Sequence, residues 1–186
     1  MGAARIADGT VVQGTLTMTV QASDASPIVA TRVYGDGAYR LVRRSGTAAV
    51  RWNTAASTDG LHRWQAYATD AGLNVGSASA RVLVANTRAV ATLRTSRPMT
   101  ATARSITREV TLARTSPFVA RFWGPGSAWY LVRVVDASGG VVAEARGTGA
   151  ASIAIGSLRP GRYTIKASTP VALPGLTLRL SAAWFR

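Results

Sequence analysis

The sequence predicts an all-β chain made of two tandem antiparallel β-sandwiches, and three observations carry that prediction. Apolar and polar residues alternate with period two along most of the 186 residues, while no useful window holds a helical period. Gly, Pro, Asp and Asn cluster between the alternating stretches, where a chain that reverses direction needs them. Hydrophobic residues make up 47%, enough to fill cores, and the few charges and abundant Gly, Ala, Ser and Thr suit short strands better than long helices.

The first half reads as a series of short strands. In Thr15-Leu16-Thr17-Met18-Thr19-Val20-Gln21-Ala22, the residues Leu16, Met18, Val20 and Ala22 share one face and the threonines and Gln21 the other, as in a half-buried strand. Val29, Thr31 and Val33 alternate with Ala30, Arg32 and Tyr34, and Gly35-Asp36-Gly37 supplies the positive φ angles that turn the chain back into residues 38–42. Further strands are expected at 48–52, 61–69 and 78–84. Within 61–70, His62, Trp64, Ala66 and Ala68 fall on one face, a large indole among small neighbours, which is core packing. So many short strands before residue 87 describe an immunoglobulin-like sandwich.

Asn86-Thr87-Arg88 is the natural boundary, giving domains at 1–87 and 88–186. In the second half, Val110 and Leu112 alternate in one strand, Phe118, Ala120 and Phe122 in the next, and Tyr130, Val132 and Val134 in a third. More strands are expected at 141–144, 152–155, 163–168 and 176–184. Gly124-Pro125-Gly126, Ser138-Gly139-Gly140 and Pro160-Gly161 mark turns between them. The halves share no repeat, so two different β domains are joined.

Cysteine is absent, which removes disulfides, thiolate chemistry and Cys-ligated zinc and leaves packing as the source of stability. Met1-Gly2 leads into polar sequence without a basic and apolar leader, as in a piece cut from a longer chain, and no run is apolar for the ~18 residues of a membrane span. The formal charge of +14 could draw nucleic acid, anionic polysaccharide or a membrane surface. Nearly all of that charge is arginine, with Lys166 the sole lysine. It is scattered from Arg5 to Arg186 without a basic block, which equally fits the coding bias of a GC-rich genome.

The residues speak against catalysis. His62, the only histidine, lies on the Trp64 face of a predicted strand and reads as structural. Hydrolase-elbow, zincin and nucleotide-binding patterns are missing. The eight acidic residues are Asp8, Asp24, Asp36, Asp59, Asp70, Glu109, Asp136 and Glu144, and most fall in turns, where Asp bonds its own backbone. A glycosidase pair is therefore disfavoured. Without a calcium-loop run, Asp24, Asp36 and Asp70 are weak calcium candidates, and neither metal nor cofactor is assigned.

One constellation points to binding. With Phe118, Ala120, Phe122 and Tyr130, Val132, Val134 inward, the opposite face takes Arg121, Trp123, Trp129, Leu131 and Arg133. A hairpin across residues 124–128 would set Trp123 opposite Trp129, Arg121 opposite Leu131 and Val119 opposite Arg133. The resulting patch of indoles edged by guanidinium groups would stack on sugar rings or peptide, or lie covered by a partner.

The first domain resembles bacterial immunoglobulin-like domains of extracellular proteins. The resemblance rests on Gly14, Ala22-Ser23-Asp24, Val33-Tyr34-Gly35-Asp36-Gly37, Trp52-Asn53-Thr54, Asp59-Gly60-Leu61-His62 and residues 66–74, where Leu73 is inserted between Gly72 and Asn74. The second is similar to bacterial pre-peptidase C-terminal domains, a jelly-roll type of sandwich, through residues 129–143, Leu158-Arg159-Pro160-Gly161-Arg162-Tyr163-Thr164-Ile165 and a final strand at 176–182. These resemblances imply the non-catalytic C-terminal accessory region of a secreted bacterial hydrolase, a subtilisin-like peptidase, with its own catalytic domain as partner. A second reading is a stand-alone extracellular module for polysaccharide, collagen-like protein or cell surface. A third is an electrostatic nucleic-acid binder.

Overall fold

A computed structural model describes residues 9–100, 102–124, 128–171 and 176–186; Met1-Gly2, Arg5, Asp8 and the Pro125-Gly126 step discussed above lie outside them. Among the described residues the chain is all-β apart from one 3-10 turn, and it divides into two compact units, Met1–Thr87 and Arg88–Arg186.

Seven strands form the first unit: β1 (Thr10–Val12), β2 (Thr15–Gln21), β3 (Ile28–Gly35), β4 (Ala38–Arg43), β5 (Thr47–Asn53), β6 (Gly60–Asp70) and β7 (Val75–Val84). They make a five-stranded sheet in the order β1-β7-β6-β3-β4 and a two-stranded sheet β2-β5. β1 runs parallel to β7, where antiparallel pairing alone was expected. Met18, Val33, Ala48, Trp64, Val82 and Val84 form the core, with Leu16, Val20, Trp52 and others packed against it. The β3-β4 turn has Asp36 and Gly37 at φ 51° and 79°, the geometry of a two-residue hairpin turn of the I′ kind. Gly35 is a glycine for another reason: a Cβ there would stand 2.9 Å from the Trp64 ring, which lies across it from β6.

The polar groups of this unit are spent on its turns. Asp36 accepts from the Arg63 amide at 2.8 Å and faces His62 Nδ1 at 2.7 Å, while His62 Nε2 lies 2.8 Å from the Thr58 carbonyl. His62 also stands edge-on to Trp52, their ring centres 5.7 Å apart. Asp70, buried at the end of β6, accepts from both the backbone and side-chain nitrogens of Asn74. The Asn74 side chain, first among the causes, holds the Asp70 carboxyl below its ordinary range. Leu73 takes the positive φ of 66° that closes this turn. Asp59 receives the amides of Asn86 and Thr87, tying the last residues of the unit back to it.

Eight strands form the second unit: β8 (Val90–Pro98), β9 (Ser105–Leu112), β10 (Ser116–Trp123), β11 (Trp129–Asp136), β12 (Val141–Thr148), β13 (Ala150–Leu158), β14 (Gly161–Ser168) and β15 (Thr177–Phe185). They make two four-stranded antiparallel sheets, β13-β10-β15-β8 and β12-β11-β14-β9. Between the sheets lie Phe118, Phe122, Tyr130, Val132, Ile165 and Leu180, all nearly or wholly buried. Tyr163 anchors the start of β14 as the Pro160-Gly161 turn requires: its ring is buried and its hydroxyl donates to the Arg159 carbonyl at 2.9 Å. Asp136 closes the β11-β12 turn by accepting from Ser138 Oγ, Ser138 N and Gly140 N. The Ser138 hydroxyl is the first cause of its lowered pKa.

Candidate functional site

The inward residues of β10 and β11 are those the alternation selected, and Phe118, Ala120, Phe122, Tyr130, Val132 and Val134 are all buried. The expected hairpin between the two strands does not form. β10 pairs with β13 and β15, and β11 pairs with β12 and β14, so the strands belong to different sheets. Phe122 and Tyr130 show why: their rings meet edge to face at 5.5 Å inside the core. Two strands whose inward side chains face one another form an arch from sheet to sheet, whereas a hairpin sets such side chains beside one another. A Cβ on Gly124 would stand 2.5 Å from the Tyr130 hydroxyl oxygen, so any larger residue there would force the phenol or the backbone to shift.

The five candidate residues therefore divide between two faces. Trp129, Leu131 and Arg133 lie together on the outer face of β11; Arg121 and Trp123 lie on the outer face of β10. Trp123 is level with Ala150 and Arg179, and Trp129 with Thr148. Leu131 stands between Arg146 and Ser168, and Arg133 between Glu144 and Lys166.

On the β11 face, Trp129 is 58% exposed, a large fraction for an indole in a strand. Beside it runs a groove of about 340 Å³ lined by Trp129, Leu131, Arg146, Ser168, Thr169 and Pro170. Charge on this face is offset in part by one carboxylate. Glu144 accepts from Arg133 Nε and, at 3.0 Å, from Arg146 Nε. The Arg133 hydrogen bond, first among the causes, holds the Glu144 carboxyl below its ordinary value. The groove thus offers an open aromatic plane, the Ser168 hydroxyl and a guanidinium pinned by a carboxylate, while Thr169 is buried and accepts from the Val171 amide.

On the β10 face, the Arg121 guanidinium lies 5.3 Å from the centre of the Trp123 ring, and both residues are half-buried. Arg121 Nε is buried without a partner among the described residues. Sequence reading missed Arg146 beside Trp129 and Arg179 beside Trp123, because neither neighbour is visible until the strand order is known.

Among the described residues no three His, Asp or Glu side chains converge, and no helix is long and apolar enough to cross a membrane. The weak calcium candidates are each engaged locally: Asp24 accepts from the Ser26 amide, Asp36 from Arg63, and Asp70 from Asn74.

No family model matches the chain, and no curated protein does. Among solved structures it is similar to the pre-peptidase C-terminal domain of a collagenase from Bacillus anthracis, with TM-score 0.42 and 12% identity over 50% of this chain and 87% of that one. It is also similar to fibronectin(III)-like modules of Clostridium thermocellum, with TM-score 0.35 and 18% identity over 44% and 94%. A third likeness is to an endo-β-1,4-mannanase from Thermotoga petrophila, with TM-score 0.36 and 18% identity over 43% of this chain and only 18% of the mannanase.

Proposed function

We propose that this chain is a non-catalytic accessory region of a secreted bacterial protein, made of two domains at 1–87 and 88–186, and that it holds a polymer against the outer face of β11. The observation that carries the reading is the exposed Trp129 ring beside a groove with hydroxyl and guanidinium lining. An indole open on one face stacks on sugar rings or on peptide, and the neighbouring polar groups orient the chain that lies there. Glu144 binds both Arg133 and Arg146 and offsets one of their two positive charges, so the open ring and the held guanidinium groups act together at this face.

Two supports bear on the accessory role. The only histidine is spent on Asp36 and a backbone carbonyl, and the carboxylates described above serve turns or arginines. A peptidase as the parent protein rests on the resemblance of the second domain. The test is retention on insoluble cellulose, xylan, chitin and collagen. The wild type should be retained on at least one of them with little dependence on salt, and Trp129→Ala should elute with the void. Retention unchanged by Trp129→Ala, or no retention on any of them, would remove the reading.

A further inference from the structure

The two outer faces of the second unit differ in how they treat arginine. On the β12-β11-β14-β9 sheet, Glu144 binds two guanidinium groups. The strands of the other sheet, β13, β10, β15 and β8, contain no Asp or Glu at all. Their register places three arginines on one outer face. With Phe122, Leu180 and Ala151 turned inward, one outward row reads Ala150, Trp123, Arg179, Ser96 across the four strands, and the next reads Ser152, Arg121, Ser181, Arg94. Neighbouring strands stand about 5 Å apart and alternate residues of a strand about 7 Å apart. Arg121, Arg179 and Arg94 are thus rooted within about 10 Å of one another.

No ion pair or hydrogen bond to an acid is found for any of the three among the described residues. Like charges so close repel one another, and the arrangement is relieved when an anion sits between them. The floor suits such an anion. Ser181 lies between Arg121 and Arg94, Ser96 and Ser152 flank them, and Ala150 adds no bulk. Trp123 holds the Arg121 guanidinium over its ring, so this donor is preorganised, and the buried Arg121 Nε lacks a partner.

We propose that this face is an oxyanion site for an acidic polysaccharide, with Arg94, Arg121 and Arg179 taking its carboxylate or sulfate groups and the serines its hydroxyls. Guanidinium forks match both oxyanions. Nucleic acid is a poorer fit. Single strands are held by stacking bases on open aromatic rings, and here the Trp123 ring is occupied by Arg121 and the Phe185 ring is buried. Duplex reading needs a helix or two-stranded ribbon that enters a groove, which the face of a four-stranded sheet does not supply. The site is distinct from the Trp129 groove and does not depend on it.

The experiment measures binding of the full chain to heparin, polygalacturonate, dextran and single-stranded DNA over a salt series. Because the whole chain carries +14, each variant is judged against an equal loss of charge elsewhere. Heparin or polygalacturonate should bind more tightly than DNA at matched charge, and dextran not at all; a preference for heparin identifies sulfate and one for polygalacturonate identifies carboxylate. Arg94→Gln, Arg121→Gln and Arg179→Gln should each weaken the favoured polymer about three- to tenfold and lower the salt slope by about one. Arg162→Gln, at an exposed position of β14, should leave it within twofold. Equal weakening by Arg162→Gln, or DNA bound as tightly as either polysaccharide, would overturn the site.

Discussion

Replacing Gly124 by alanine tests the crossing between the two sheets of the second unit. The added methyl would stand 2.5 Å from Tyr130 Oη and 3.1 Å from Cζ, against ordinary contacts of about 3.4 Å or more. The ring cannot swing away freely, because Tyr130 is 1% exposed and packs edge-on against Phe122. Either the backbone at 124 or the phenol must give by several tenths of an ångström inside a close-packed core. Overpacking of this kind costs about 1–3 kcal/mol. Equilibrium unfolding in guanidinium chloride, followed through NMR signals of the second unit, reads that cost without mixing in the first. A double-mutant cycle adds specificity. Tyr130→Phe removes the nearest clashing atom, so Gly124→Ala should cost less in the Tyr130→Phe background, by about 1 kcal/mol. A Gly124→Ala protein within 0.5 kcal/mol of wild type, where surface changes fall, or the same cost in both backgrounds, would refute the reasoning.

Three further outcomes follow from the same structure. Gly35→Ala should destabilise the first unit by about 1–3 kcal/mol in the same assay, since its Cβ would meet the Trp64 ring at 2.9 Å, and Gly37→Ala should act through its positive φ without any such contact. Tyr163→Phe should cost about 1 kcal/mol through loss of the hydrogen bond to the Arg159 carbonyl, while leaving the ring packing intact. Asp70, Asp136 and Glu144 have folded-state pKa values below their ordinary ones, so the stability they contribute is present above the unfolded-state value and is lost as pH falls through the lowered folded values. Denaturation midpoints should therefore fall on acidification below about pH 4, and Asp136→Asn should flatten that slope for the second unit; an unchanged slope would contradict the role of its turn.

The parts of the fold that chemistry decides locally were legible in the sequence. Asp36-Gly37 announces its hairpin because both residues tolerate the positive φ it needs, and Pro160-Gly161 followed by Tyr163 announces a turn and an anchor. The inward faces of β10 and β11 were legible as well, since alternation with period two says which side chains share a face. It does not say which strand lies alongside. A hairpin and an arch place Phe122 and Tyr130 inward alike, and only the meeting of the two rings across the core separates the cases. The candidate patch was split for that reason, and Arg179 and Arg94 went unnoticed because strands distant in sequence bring them beside Trp123 and Arg121; Arg146 lies on the strand next after β11 and was passed over when Trp129 was paired with β10 instead. β1 and β8 were missed for simpler causes. β1 has three residues, and β8 has Leu93 as its only large apolar residue between Val90 and its end.

Both binding faces rest on the separation of β10 from β11, and interstrand nuclear Overhauser effects measure it most directly. Cross-strand backbone contacts should join Trp129 to Thr148 and Trp123 to both Ala150 and Arg179, with none between Trp123 and Trp129. A backbone contact between Trp123 and Trp129 would restore a single hairpin patch and contradict the two-faced account.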